Sequence, residues 1–372
     1  MFKRLIIFVC ILVLFSAMAF PCAAVNIPPE YDVQGKTLDE IVADFMAEYH
    51  FTEDTFAMGW YNTGTGETWY LNENQYMVAG SMYKLPLCMN YVRGFADGSF
   101  DPNAMTDGYT LSRLIDLSIR YSDNDAARRL QKYYSYDLVT YRKSLANFSD
   151  VDQGTLPTEF ITNNRMSPHI ILDTLKELYA NQEFYKQVVD NMLLAHPDMY
   201  FKHYQGEYEI AHKYGYYEGA LNDCGIIYTP TPFLLVVFTK NTLNSEKAIG
   251  DLVSRLTAYS IWLDSEAEKA AEEQARIEAE EKAAAEPEQN AMEEWAEAQL
   301  AVQVEAARIA KENAAETAEQ TNSIPPQQNT DFCRVCLLFL CLANITIVLL
   351  RGNGQTRKKG GGCSEKQDAF LR

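Results

Sequence analysis

The sequence predicts an α+β domain in which strands from both chain ends form one antiparallel five-stranded sheet with helices on both faces. Two short aromatic-rich runs, 56–61 and 68–71, flank a Gly-bearing turn and predict a β-hairpin early in the chain. Three more runs, 209–213, 220–229 and 233–239, predict strands late in the chain, and the last is apolar enough to be central and buried. Helical segments lie between and after the two groups, so the strands must join beneath them.

The helical segments are predicted from apolar residues that recur with a period near 3.6. They lie at residues 37–50, 79–87, 111–121, 125–133, 168–178, 184–194 and 246–263. Thr37 and Ser167 precede two of these segments and are candidate N-caps. Residues 146–166 have little periodicity and predict a loop.

The charge of the chain is concentrated in one segment. The 372 residues carry a formal net charge of −19, and residues 264–320 hold 17 acidic and 5 basic side chains, a net of −12. The remainder is only mildly acidic and has no basic stripe, so nucleic acid is not expected as a partner. We divide the chain into a body at 25–263 and an acidic Ala/Glu-rich segment at 264–322.

The acidic segment is predicted to be a solvated helical stalk that Pro287 interrupts, with a disordered acidic tether as the alternative. A Pro/Gln linker at 323–331 follows it. The apolar run at 332–350 predicts one transmembrane helix, and the basic tail at 351–372 places the C-terminus in the cytoplasm. A buried core helix is the alternative for 332–350, but its flanks offer nothing to bury it against.

Residues 1–24 are typical of a secretory signal, with two basic residues, an apolar run and then small residues. An uncleaved N-terminal membrane anchor is the alternative. Together with the C-terminal segments, this pattern predicts a single-pass cell-membrane protein with an extracytoplasmic body. Of eight cysteines, only Cys88 and Cys224 lie in that body, where they are either paired or buried as free thiols. No Cys/His cluster has zinc spacing, so neither a metal nor a cofactor is expected.

Three short motifs carry the candidate chemistry. Ser81 and Lys84 are three residues apart, so a helix would place a nucleophile and a base on one face, near free N–H groups. Ser122-Asp-Asn124 lies in a short polar turn between two predicted helices. Lys213-Tyr-Gly215 ends a predicted strand. A Ser-x-x-Lys pair alone is a weak signal, but its order with the other two motifs strengthens it.

Taken together, the motifs resemble the Ser-x-x-Lys, Ser-Asp-Asn and Lys-Thr-Gly pattern of the penicillin-recognising serine hydrolases, which include class A β-lactamases and D-Ala-D-Ala peptidases. The resemblance covers residues 38–263 and implies covalent acyl transfer without a metal. It implies that Ser81 is the acylated nucleophile, and Lys84 the candidate base. It also implies that Ser122 relays a proton to the leaving nitrogen, and that Lys213 holds Ser122 and meets the substrate carboxylate.

The resemblance further implies a set of substrate contacts. Asn124 would bind the amide side chain of the substrate, although it is also a candidate cap for the following helix. The backbone N–H groups of Ser81 and Tyr216 would form the oxyanion hole, next to Gly215 of the third motif. Tyr214 departs from the family pattern, because it puts a bulky ring where a β-lactam carboxylate would be recognised.

The base for deacylation is the second departure. Glu159 has the family's Glu-x-x-x-Asn spacing to Asn163, but its segment is shorter than the family's loop. Glu159 is therefore either a catalytic base or an exposed loop carboxylate. The resemblance implies a hydrolase of β-lactam amide bonds. The alternatives are a peptidase or esterase that acts on cell-wall peptides or other acyl substrates, and a non-catalytic binding or sensing module.

Overall fold

A five-stranded antiparallel sheet forms the centre of the body. The computed structural model describes residues 26–196, 198–204, 206–240 and 245–321. Its strands are β1 (Phe56–Asn62), β2 (Thr68–Leu71), β7 (Ile210–Tyr217), β8 (Ala220–Ile227) and β9 (Phe233–Thr239). They have the order β2-β1-β9-β8-β7 in the sheet, and every neighbouring pair is antiparallel. The predicted sheet, assembled from both ends of the body, is confirmed.

The central strand β9 separates two hydrophobic cores. All seven of its residues are buried, and successive side chains point to opposite faces of the sheet. Leu234, Val236 and Phe238 belong to one core, while the residues between them belong to the other. This explains why β9 is almost entirely apolar, since neither of its faces meets water.

Helices cover both faces of the sheet. They are α1 (Leu38–Tyr49), α2 (Lys84–Asp97), α3 (Leu111–Arg120), α4 (Asn124–Tyr134), α5 (Leu138–Ser144), α6 (Thr158–Asn163), α7 (Pro168–Ala180), α8 (Lys186–Leu193) and α9 (Ser245–Thr321). In the described part of the chain, four two-residue strands complete the fold: β3 (Met77–Val78), which pairs with β6 (Arg165–Met166), and β4 (Met105–Thr106), which pairs with β5 (Tyr109–Thr110). Thr37 and Ser167 cap α1 and α7 as predicted.

Three local predictions were wrong. Residues 146–166 are not wholly a loop, because they contain α6 and β6; both elements are too short to produce a detectable period. The strand predicted at 209–213 continues to Tyr217, because its last residues pair with β8 in spite of their polar side chains. Pro287 does not interrupt the acidic segment, since it lies inside α9 among strong helix formers.

The chain divides into two units, residues 1–274 and 275–372. In the second unit, residues 275–321 are helical, and their described side chains are almost all exposed. The predicted signal at 1–24, the linker at 323–331, the membrane segment at 332–350 and the tail at 351–372 lie outside the described residues. Within the described ranges, no helix is long and apolar enough to cross a membrane.

Candidate active site

Ser81 lies in a 3-10 turn, Gly80–Tyr83, that leads directly into α2. Ser81 and Lys84 were predicted to share one face of an α-helix. Instead, Ser81 lies in the 3-10 turn, and Lys84 is the first residue of the α-helix that follows. Gly80 has a φ of 56°, a conformation that favours glycine, and Lys84 is completely buried as the first residue of α2. The turn presents Ser81 at the surface of a cavity while the lysine points into the body.

Two glycines let strand β7 approach the Ser81 turn closely. A Cβ on Gly215 would lie 2.3 Å from the carbonyl oxygen of Ala79 and 2.9 Å from the backbone nitrogen of Ser81. A Cβ on Gly80 would lie 2.8 Å from the backbone nitrogen of Tyr216. Side chains at these positions would push the strand and the turn apart. The contact holds the N–H groups of Ser81 and Tyr216 close together, as an oxyanion hole requires.

Lys84 connects the first motif to the second. Its Nζ donates hydrogen bonds to the Ser122 carbonyl oxygen at 2.6 Å and to Asn124 Oδ1 at 2.8 Å, and lies 3.4 Å from Ser122 Oγ. Within the described part of the chain, no hydrogen bond joins Lys84 to the Ser81 hydroxyl. Proton transfer between these two side chains therefore needs a small rotation or a bridging water, as is common in structures without substrate.

The Ser122 turn is strained in a way that serves this contact. Ser122 has a φ of 54°, a left-handed conformation that costs a residue with a side chain about 1 to 2 kcal/mol. This conformation directs the Ser122 carbonyl at Lys84. Asp123 caps α4, because its Oδ1 accepts hydrogen bonds from the N–H groups of Asp125 and Ala126. Asn124 is therefore not the cap; its Oδ1 accepts from Lys84, and the residue lines the cavity.

Lys213 completes a chain of polar contacts through Ser122. Its Nζ donates to Ser122 Oγ at 3.0 Å and to the Tyr214 carbonyl oxygen at 2.7 Å. Burial lowers the pKa of Lys84 to about 8. Burial and the charge of Lys84 lower the pKa of Lys213 to about 7. Each charge opposes the other, so the loss of one proton from the pair favours the charged form of the remaining lysine.

Tyr214 lies over the ammonium group of Lys213. The Nζ atom of Lys213 is 4.0 Å from the centre of the Tyr214 ring. The ring stacks on Tyr200 with centroids 4.5 Å apart and meets the edge of His196 at the same distance. Burial raises the pKa of the Tyr214 phenol, and a hydrogen bond with Ser122 opposes that effect. The ring is only 8% exposed, so it is a packed part of the site wall.

A buried histidine–carboxylate contact behind the third motif was not found from the sequence. His212 Nδ1 lies 2.7 Å from Asp223 Oδ2, and both residues are fully buried. His212 Nε2 lies 3.0 Å from the carbonyl oxygen of Ala195, so each ring nitrogen faces an oxygen atom. Asp223 also accepts from the N–H of Phe201. The sequence did offer a signal for this contact, because Asp223 is a charged residue within the predicted strand at 220–229.

The cavity beside Ser81 has a volume of about 650 Å³. It is lined by Val78, Gly80, Ser81, Tyr83, Asn124, Gln131, Arg142, Thr162, Asn163, Asn164, Arg165, Tyr216, Tyr217 and Glu218. Arg142 and Asn164 were not predicted: Arg142 Nη1 donates to Asn164 Oδ1 at 2.9 Å, and Asn164 Nδ2 donates to the Gly80 carbonyl oxygen at 2.8 Å. These bonds fix the turn that carries Ser81.

Glu159 is not brought together with the three motifs. It is exposed in α6 and is not among the residues that line the described cavity, although Asn163 of the same helix is. The Glu159 carboxylate lies near Tyr76, where it adds to burial in raising the pKa of that phenol. The geometry therefore gives Glu159 no contact with Lys84 or Ser81.

The described residues contain one group with the spacing of metal ligands. One ligand atom from each of Asp150, His169 and Asp173 lies within 4.8 Å of the others. His169 Nε2 pairs with both carboxylates, and its Nδ1 lies 3.3 Å from a carboxylate oxygen of Glu73. None of these residues is among those that line the cavity, so the group is separate from the site at Ser81.

Cys88 and Cys224 are both buried and free, which decides between the two alternatives drawn from the sequence.

The arrangement supplies each component that acyl transfer requires. Ser81 offers a hydroxyl at a cavity, a buried lysine lies one turn further along the chain, and Ser122 bridges the two lysines. The backbone nitrogens of Ser81 and Tyr216 lie at the close contact between the turn and β7. Such a site can form an ester between Ser81 and an acyl group while the lysines and Ser122 move the proton.

Comparison with known proteins agrees with this geometry. Residues 37–260 match the model of the β-lactamase enzyme family. An ancestral class A β-lactamase has a TM-score of 0.51 and 15% identity, covering 60% of this chain and 100% of its own. The class A β-lactamase of the last common ancestor of Gram-negative bacteria has a TM-score of 0.50 and 18% identity, covering 60% and 98%. No curated protein matches the chain significantly. The fold, the three motifs and the family match lead to one conclusion: this chain belongs to the β-lactamase enzyme family.

Proposed function

We propose that the protein is a serine acyl hydrolase that forms an acyl-enzyme at Ser81. Neutral Lys84 takes the Ser81 proton as Oγ bonds to the acyl carbon, and the N–H groups of Ser81 and Tyr216 bind the resulting oxyanion. Ser122 passes a proton to the leaving atom as its bond to the acyl carbon breaks. Water then hydrolyses the Ser81 ester and releases the acid.

One observation carries this proposal. Ser122 Oγ lies 3.0 Å from Lys213 Nζ and 3.4 Å from Lys84 Nζ, and both lysines are fully buried. Burying two like charges lowers the stability of the folded protein, so their presence here calls for a functional reason. A continuous proton path from the nucleophile's neighbour to the leaving-group side is such a role, and a protein that only binds a ligand has no need for it.

We propose β-lactam amide bonds as the first substrate class to test, because the family suggests them. A peptidase or esterase that acts on cell-wall peptides or other acyl substrates is the second candidate. The exposed position of Glu159 favours the second, since deacylation of β-lactams needs an efficient base for water. A non-catalytic sensor is the third, and the intact Ser81, Lys84, Ser122 and Lys213 argue against it.

The location of the enzyme is also a proposal. The pattern of residues 1–24 supports export, and the apolar run at 332–350 supports a membrane tether, with the tail at 351–372 in the cytoplasm. An acidic stalk at 264–322 would then separate the body from the membrane. Such an arrangement suits substrates attached to the cell wall.

The test is to treat the purified full-length protein with three acyl donors. These are a fluorescent penicillin, a chromogenic cephalosporin and an uncharged p-nitrophenyl ester. Ser81→Ala removes the nucleophile, and Ser99→Ala, at an exposed turn, is the matched control. Turnover or a stable label that disappears in Ser81→Ala but not in Ser99→Ala supports the proposal. No Ser81-dependent reaction with any donor would refute it.

A further inference from the structure

We propose that Tyr214 makes this site select acyl donors whose leaving-group side carries no carboxylate. This inference rests on the proposed function, because it concerns the substrate class of the same Ser81 site. It reverses the expectation that Lys213 meets a substrate carboxylate. The donors that fit are esters and amides with an uncharged leaving group.

The first step identifies which cation serves the leaving-group side. Ser122 is the group that protonates the leaving atom in the proposed reaction, and Lys213 is hydrogen-bonded to Ser122 Oγ at 3.0 Å. Lys213 is therefore the cation nearest to a charge on the leaving group. Two arginines, Arg142 and Arg165, also line the cavity, but neither belongs to strand β7, which carries Lys213.

The second step shows that this cation is already covered. The Nζ atom of Lys213 donates to Ser122 and to the Tyr214 carbonyl, and the Tyr214 ring lies 4.0 Å from it. Lys213 has no exposed surface. A carboxylate needs direct contact or a short hydrogen bond to benefit from a lysine, so it would have to displace the ring.

The third step shows that the ring is held in place. Tyr200 stacks on one side of it at 4.5 Å with an interplanar angle of 19°, and His196 meets it edge-on at 4.5 Å. Tyr200 is itself buried and lies in the segment whose Phe201 N–H is bonded to Asp223. Moving Tyr214 aside would break these ring contacts and the cation–π contact together.

The strand also offers a surface for an uncharged leaving group. Tyr216 is two residues after Tyr214, so its side chain lies on the same face of β7. Unlike Tyr214 it is 64% exposed and lines the cavity. An apolar or aromatic leaving group can pack on this ring without meeting a buried charge.

The test uses benzylpenicillin and its methyl ester, which differ only in the carboxylate on the leaving-group side. The rate of Ser81 acylation is measured for each with the full-length protein, and a p-nitrophenyl ester reports on site competence. We expect wild type to react with the methyl ester at least as fast as with the free acid. In Tyr214→Thr, which uncovers Lys213, the ratio should shift at least tenfold towards the free acid. Tyr214→Phe keeps the ring and should keep the wild-type ratio.

A wild-type preference of tenfold or more for the free acid would overturn the inference. If wild type reacts with the p-nitrophenyl ester but with neither penicillin, Tyr214→Thr decides: a gained reaction with the free acid supports the inference, and no gain overturns it. Failure of every donor, the p-nitrophenyl ester included, would instead refute the proposed function. Should Tyr214→Thr not fold, Tyr200→Leu loosens the same ring and should shift the ratio in the same direction.

Discussion

The pH dependence of Ser81 reactivity follows from the burial of Lys84. Only the neutral lysine can accept the Ser81 proton, so the reaction should speed up as pH rises through the pKa of Lys84. Burial lowers that pKa from 10.5 to about 8. A shift of this size corresponds to about 3.4 kcal/mol at about 1.36 kcal/mol per pH unit. At pH 7 it makes the neutral base about 300-fold more abundant than in an ordinary lysine.

The assay is the rate of labelling by a fluorescent fluorophosphonate, which is uncharged at the reacting centre and bonds to Ser81 with loss of fluoride. Between pH 5.5 and 9.5 the rate should rise about tenfold per pH unit at first and level off near pH 8. Lys213 shares the polar network and its pKa of about 7 lies within this range, so the two lysines titrate as a coupled pair and the rising limb reports on that pair. Lys84→Met, which is matched in size, should lower the rate and abolish the rising limb.

A matched control is available in Lys202, because burial lowers its pKa to about 8 as well. Its Nζ donates to the carbonyl oxygens of Leu193 and Ala195 rather than to the site. Lys202→Met should therefore keep the rising limb even if it lowers stability. A flat profile in wild type, a limb above pH 10, or a limb that persists in Lys84→Met would refute the role of Lys84 as base.

Three further predictions test other parts of the site. Gly215→Ala should lower Ser81 labelling at least tenfold, because its Cβ would lie 2.3 Å from the Ala79 carbonyl oxygen; an unchanged rate would contradict the oxyanion-hole geometry. Asp223→Asn should lower the free energy of unfolding in urea by about 1 to 3 kcal/mol, since it replaces the buried carboxylate that faces His212 Nδ1 and accepts from the Phe201 N–H; a loss below about 0.5 kcal/mol would show the pair to be unimportant. Glu159→Gln should change the deacylation rate less than about twofold, because the carboxylate is exposed and off the cavity, and a hundredfold loss would instead identify it as the base.

Some predictions from the sequence failed because the elements involved are short or held by distant partners. The 3-10 turn at Ser81 and the helix α6 have too few residues for a period to identify them. The end of β7, with Tyr216 and Tyr217, looks like a polar loop until its pairing with β8 is known. The low helix propensity of Pro287 was outweighed by the strong helix formers on both sides of it, so α9 continues through this residue.

The sequence by itself determined the sheet, most of the longer helices and the identity of the three motifs. These features depend on local patterns: the continuous apolar run that makes β9 central, the caps at Thr37 and Ser167, and the order of Ser81, Ser122 and Lys213. Each of these features can be recognised within a short stretch of the chain, so a local pattern is sufficient to predict it.

Only the tertiary structure decided how the site is closed. The ring of Tyr214 over Lys213, its stack on Tyr200 and the pairing of His212 with Asp223 join residues that no local pattern connects. Each contact depends on distances and ring orientations that the packing of the whole domain fixes. The motifs therefore indicate the proposed acyl transfer, and the packing around Lys213 is the basis of the proposed selection among acyl donors.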